Sequence, residues 1–150
     1  MFETLDPTSR RLRVPVEREV LLADTVGFIR DLPPELIEAF RATLEEIETS
    51  VAILHIVDVS SAEYRDRMDS VIEVLTELEL GDIPRLVVFN KSDLLSSGER
   101  AALSRGTDAL LASARTGEGM EILVECVGRL LAQGSCAKTE PAVAAHPSSS

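Results

Sequence analysis

Hydrophobic and polar positions change period several times along the chain, and each change marks an element. Arg11 to Val14 and Glu19 to Asp24 are short alternating or apolar runs separated by Pro15-Val16-Glu17-Arg18, which predicts two antiparallel strands joined by a turn. Pro33 and Pro34 precede Glu35, and Leu36, Ile37, Phe40, Leu44 and Ile47 recur at helical spacing, so a helix with an acidic outer face is expected from about Pro34 to Thr49. Val51 to Asp58 is a continuous apolar run of strand length, the pattern of a strand covered on both faces. Ser60-Ser61-Ala62-Glu63 reads as a capping box opening a helix whose Met68, Val71, Ile72, Leu75 and Leu78 face inward, with Gly81-Asp82-Ile83-Pro84 ending it.

Arg85 to Phe89 predicts a second buried strand, followed by the polar loop Asn90 to Asp93 and a weaker helix near Glu99 to Ser104. Ala109 to Ser113 suits a last strand. From Met120, residues Leu123, Val124, Val127, Leu130 and Leu131 give a final helix, and Gln133 to Ser150 holds Pro, Ala and Ser with almost nothing to pack, a disordered tail. Strands alternating with helices imply an α/β fold: a mostly parallel sheet flanked by helices, with one antiparallel edge from the hairpin.

Composition narrows this to one domain. The 150 residues are 45% hydrophobic with mean hydropathy +0.11, enough for one core and no second. Twenty-six acidic against fifteen basic residues give a net charge of −11, so nucleic-acid phosphate and anionic lipid are repelled by the chain as a whole and any RNA contact must be local. Arg10, Arg11, Arg13 and Arg18 read most simply as a solvated hairpin face, and His55 as a packing residue inside its strand. No apolar run reaches the roughly 20 residues of a membrane span. Cys126 and Cys136 make neither a metal-ligand spacing nor a disulfide framework, which favours a cytoplasmic setting.

In parallel sheets ligands bind beyond the carboxyl ends of strands, so the residues after each apolar run carry the information. Asp24-Thr25-Val26-Gly27, Asn90-Lys91-Ser92-Asp93 and Ser113-Ala114-Arg115-Thr116-Gly117 stand there, with Phe2-Glu3-Thr4-Leu5-Asp6-Pro7-Thr8 before the hairpin; in order and placement they resemble the guanine-nucleotide loops of GTPases. A strand-end carboxylate such as Asp93 can accept from both N1 and the exocyclic amino group of guanine, a donor pair that adenine lacks. Base choice follows, because a site of buried polar groups rejects an analogue that leaves them unpaired. Asn90 would reach the base N7 and tie neighbouring loops together, and the Lys91 stem would cover one ring face. Asp-x-x-Gly suits the phosphates: Asp24 holds Mg²⁺ directly or through water, and Gly27 lets a backbone N–H approach the γ-phosphate. Thr4 would give its hydroxyl to the same Mg²⁺ and its N–H to the γ-phosphate, as a nucleotide-sensing switch does.

The wording of the loops from Phe2 to Arg11 and from Asp24 to Pro33 closely resembles the HflX GTPases of the Obg-HflX group, and Ser113-Ala114-Arg115-Thr116-Gly117-Glu118-Gly119 fits as well, with Arg115 where lysine is usual. The likeness covers residues 1 to about 132, leaving 133–150 as tail. It implies a GTP-binding domain that hydrolyses GTP and acts on the large ribosomal subunit, including splitting of stalled ribosomes. By that likeness Phe2, Glu3, Thr4, Leu5 and Asp6 surround GTP or GDP, Thr4 ligates Mg²⁺, Asp24, Thr25, Val26, Gly27, Asn90, Lys91, Ser92 and Asp93 complete the site, and the Ser113, Ala114 and Arg115 backbone contacts the base O6.

A phosphate-binding loop G-x-x-x-x-G-K-[ST] is absent from these 150 residues, whose two lysines, Lys91 and Lys138, follow no glycine. The expectation is therefore a G domain lacking its first central strand, phosphate loop and amino-terminal partner domain. The alternative is a nucleotide-free interaction module derived from a GTPase; a signalling domain with Asp24 or Asp58 as phosphate acceptor leaves the guanine-type loops without a role. Phe28 follows Gly27, where Ras-like enzymes place a water-orienting glutamine, so no catalytic residue is assigned from sequence.

Overall fold

In the computed structural model, residues 8–14, 18–24 and 47–133 are described, the first two segments as backbone only. Strands β1 (Thr8–Val14) and β2 (Arg18–Asp24) pair antiparallel from Thr8↔Asp24 to Val14↔Arg18. The hairpin is as expected. The helix expected from Pro34 lies outside the described residues except for its end at 47–48. Strands β3 (Ile53–Asp58), β4 (Arg85–Asn90) and β5 (Leu110–Leu111) form a parallel sheet in the order β3-β4-β5. Helices α1 (Tyr64–Glu77), α2 (Ser97–Gly106) and α3 (Met120–Gln133) follow the strands, giving the α/β, G-domain-like architecture.

The parity of β4 explains the layers. Leu86 and Val88 pack with Ala112 and with Leu123, Val127 and Leu130 of α3, whereas Phe89 packs on the opposite face with Val57, Val59, Tyr64, Met68 and Leu103. Phe89 is 1% exposed and meets Tyr64 edge-on at 5.7 Å between ring centroids. Burying a ring this fully contributes about 2–3 kcal/mol. Val71 and Leu75 of α1 close a third cluster with Leu80, and Ile53 and Ile83 pack against it. His55 is buried beside these layers, as its place in the apolar run implied.

Four expectations change. The Val51–Asp58 run is not covered throughout, because Val51 is exposed and Ile56 is 53% exposed on the face that β4 buries with Val88. The box at Ser60 is not made: Glu63 caps α1 without a side-chain bond, while the Ser60 N–H and hydroxyl both donate to the Asp58 carboxylate at 3.0 and 2.6 Å. The box forms instead at α2, where Ser96 and Glu99 bond reciprocally, so that helix starts earlier than Glu99. Helix α1 also stops before Gly81, with Glu79 at φ 59° in the left-handed position. Hydrogen bonds from Glu79 N–H to Thr76 and from Leu80 N–H to Leu75 make this a Schellman ending, with Leu75 and Leu80 in hydrophobic contact.

β5 is only two residues long by pairing, yet Ala112 N–H bonds to Phe89 and Ser92 N–H to Ala112, so the ladder carries into the loops. β1 and β2 form a sheet of their own; among the described residues no strand joins β2 to β3. No helix of the described residues is long and apolar enough to cross a membrane.

Candidate functional site

Parallel pairing puts Asp58 opposite Asn90, the last residues of β3 and β4, and the turn after β5 lies alongside. Asn90 Oδ1 accepts the N–H of Lys91 at 2.8 Å and the N–H of Ala114 at 3.0 Å. It therefore ties the two loops together. Lys91 takes a left-handed conformation, φ 64° and ψ 30°, and its Nζ meets Asp58 Oδ2 at 2.6 Å. Such a conformation is costly for a residue with a Cβ and is commonest where a site fixes it. Desolvation pushes the Asp58 carboxyl up, but hydrogen bonds from Lys91 and Ser60 outweigh that and hold it below the usual carboxylate range.

Asp93 begins its reach from the short 3₁₀ turn Ser92–Leu94. Its Oδ1 accepts the Ser113 hydroxyl at 2.6 Å, and Oδ2 accepts Arg115 Nε–H at 3.1 Å, with Arg115 Nη2 in ion-pair contact at 3.0 Å. The Ser113 bond first, against an opposing desolvation, and then the Asp93 backbone N–H and Arg115 keep the Asp93 carboxyl below its ordinary range. Ser113 is fully buried, and its hydroxyl oxygen also accepts Thr116 N–H at 3.2 Å. Ser92 serves through its backbone, while its buried hydroxyl has no partner among the described residues.

The 113–119 turn is braced from two sides. Arg100 of α2 pairs with Glu118 at 2.7 Å, and Ser113 N–H bonds to the Glu118 carbonyl. Gly119, at φ 75°, lies against the Leu111 carbonyl and Ala112 so closely that a Cβ there would collide with backbone. Only glycine meets both demands.

Of the sequence-derived residues, Asn90, Lys91, Ser92, Asp93, Ser113, Ala114 and Arg115 are thus brought into one cluster. Phe2, Glu3, Thr4, Leu5, Asp6, Thr25, Val26 and Gly27 lie outside the described residues, and of Asp24 the structure gives the backbone, the last residue of β2. Asp58, Ser60 and the Arg100–Glu118 brace belong to the cluster and were not read as part of it from sequence. Asp58 carried a signal, since it too ends an apolar run. Among the described residues no group of three or more His, Cys, Asp or Glu side chains is arranged to hold a metal ion.

A family model described as 50S ribosome-binding GTPase matches residues 1–91. The chain belongs to that family, and within it to the HflX type. It is 46% identical over 138 residues to the GTPase HflX of Magnetococcus marinus, matching 87% of this chain and 32% of that protein. Against the GTPase HflX of Caldanaerobacter subterraneus subsp. tengcongensis it is 43% identical over 131 residues, 87% of this chain and 30% of the other. The chain thus spans about a third of the length of these curated relatives. A crystal structure of SsGBP in complex with GDP superposes with a TM-score of 0.69 at 28% identity, covering 85% of this chain and 43% of that one.

Proposed function

We propose that this HflX-type chain carries the base-reading half of a GTP site, that the protein containing it hydrolyses GTP, and that hydrolysis is coupled to the large ribosomal subunit in the splitting or rescue of ribosomes. The observation that carries the reading is Asp93: a carboxylate kept ionised by Ser113 and Arg115, beside a loop that Asn90 holds in place. Its two oxygens suit the N1–H and amino group of guanine, the Asn90 amide suits N7, and the backbone of Ser113, Ala114 and Arg115 suits O6. Lys91, steered by Asp58, covers a ring face.

The phosphate half would come from Phe2, Glu3, Thr4, Leu5, Asp6, Thr25, Val26 and Gly27. Mg²⁺ would be held by Thr4 and, through water, by Asp24, whose place at the end of β2 is where such a carboxylate is needed; when bound, the ion neutralises charge on the phosphates. Phe28 cannot orient the attacking water, so a partner completes that arrangement, and the ribosomal subunit is the proposed partner. Cytoplasmic operation follows from that partner.

The test is the nucleotide preference of the intact protein. Asp93→Asn replaces an acceptor with a group that presents a donor, so GTP affinity should fall at least tenfold while xanthosine triphosphate, with a carbonyl in place of the amino group, gains. Equal GTP affinity in the variant and the parent, measured by calorimetry, would exclude Asp93 as the base reader.

A further inference from the structure

The 113–119 turn supplies the backbone proposed to contact the base O6, and its far end runs over two glycines. Gly117 and Gly119 take φ 83° and 75°, a region that glycine enters without steric cost. They are not equally held. Gly119 is wedged against the Leu111 carbonyl and Ala112, whereas a Cβ built on Gly117 would meet nothing within 4 Å, so among the described residues only hydrogen bonds, to the Ser113 carbonyl and from Met120 N–H, restrain Gly117. Glu118 stands between the two. Its carbonyl accepts Ser113 N–H at 2.9 Å and its N–H donates to Thr116 Oγ1 at 3.3 Å, so rotation about Gly117 breaks bonds on which the placement of residues 114 and 115 depends.

Of Gly117, Glu118 and Gly119 only Glu118 has a side chain, and Arg100 Nη1 of α2 donates to its Oε1 at 2.7 Å. The restraint runs from helix to turn. Arg100 follows the capping box of Ser96 and Glu99, and its own N–H bonds the Ser96 carbonyl at 3.0 Å, so it belongs to a closed first turn. Leu103 packs the same helix into the layer around Phe89. A half-exposed ion pair contributes little to overall stability, but this one acts where the backbone of the turn is least constrained. The other end of the turn touches both base readers, through the Ser113 hydroxyl on Asp93 and Ala114 N–H on Asn90.

Resting on the reading of Asn90, Asp93 and the 113–115 backbone as the base site, we propose that Arg100 is a positioning residue for guanine: through Glu118 it holds the 113–119 turn in the conformation that presents this backbone to the base, and so sets how long the nucleotide stays. It acts through Glu118 and not by contact with the nucleotide. The effect falls on release, because the strength of a formed contact is felt mainly in the dissociation rate. A lysine at position 100 would serve less well, since its flexible ammonium lacks the fixed geometry of a guanidinium on a carboxylate.

The experiment follows release of a fluorescent GDP analogue from the intact protein that contains this chain, chased with unlabelled GDP in stopped flow. Arg100→Ala and Glu118→Ala should each speed release roughly two- to fivefold, the order expected of an exposed ion pair, and the double variant should be no faster than either alone, since both remove one contact. Arg100→Lys should fall between parent and Arg100→Ala, and the exchange Arg100→Glu with Glu118→Arg should return release toward the parent rate. An unchanged release rate in Arg100→Ala alongside a lower urea midpoint would show that the pair only anchors α2, and accelerations that add in the double variant would show that the two residues act separately; either result overturns the positioning role. Asp93→Asn keeps the two levels of inference apart: GDP binding that survives it removes the base site and the positioning role together, whereas loss there with a neutral Arg100→Ala overturns the positioning role alone.

Discussion

His55 lies inside β3, opposite Val87 on β4, with its Nδ1 lacking a hydrogen-bond partner among the described residues. Burial, and then the nearby Arg85 charge, lower its pKa below 6.5, so the folded state binds the proton less readily than the unfolded chain does. The His55 contribution to stability is therefore complete above about pH 6.5 and is lost as pH falls through the window down to the folded value. Denaturant titrations between pH 7.5 and 5.5 should show stability declining, by at most about 1.4 kcal/mol per pH unit for one group. His55→Leu should flatten that decline; an unchanged pH slope in the variant would show that His55 is not its source. Asp58, Asp93 and Glu99 act in a lower window: with depressed folded values, their contribution is complete above the ordinary carboxylate range and is lost as pH falls through that range to the folded values.

Elements end and begin here by local chemistry that tertiary contacts then select. Two S-x-x-E sequences precede helices, at Ser60 and at Ser96, and only the second caps one. The first serine is drawn to Asp58 instead, because that carboxylate at the end of β3 lies two residues away and also holds Lys91. Ser96→Ala should accordingly cost about 1 kcal/mol of stability in urea denaturation, the usual worth of an N-cap, whereas Ser60→Ala should leave α1 intact by circular dichroism and instead loosen Lys91. Glu79 offers the opposite opportunity. It holds the left-handed position of a Schellman ending with a Cβ and puts a negative charge at a helix carboxyl end. Glu79→Gly should raise stability by about 0.5–1 kcal/mol, and a lower urea midpoint would show that the Glu79 side chain makes a compensating contact.

On the scale of the whole chain, the feature with consequences is the division into two sheets. Among the described residues β3 pairs only with β4, so one edge of β3 offers unpaired backbone groups, and Ile56 and Val51 stand exposed near it. Edges of this kind template association. The net charge of −11 opposes self-contact at long range, and salt weakens that opposition. The 150-residue chain on its own should therefore self-associate, more at 0.5 M than at 0.05 M salt, in sedimentation velocity. A single monomeric species at both salts would mean that the β3 edge is covered by residues outside those described.

Spacing along the chain determined the order and type of the described elements, and the position of the residues with chemistry: hydrophobic period is a local property, and strand ends follow from where an apolar run stops. Asn90, Asp93 and Ser113 were legible for that reason. The tertiary structure decided what those residues bond to. Lys91 finds Asp58 across 33 positions and Arg115 finds Asp93 across 22, pairings set by parallel register and by the glycine-dependent turn at Gly119, neither of which a linear pattern encodes. It decided as well that Ser60 serves a strand end rather than a helix, and that Ile56, in an apolar run broken only by His55, stands exposed, because burial depends on what lies across the sheet and not on the neighbours in the chain.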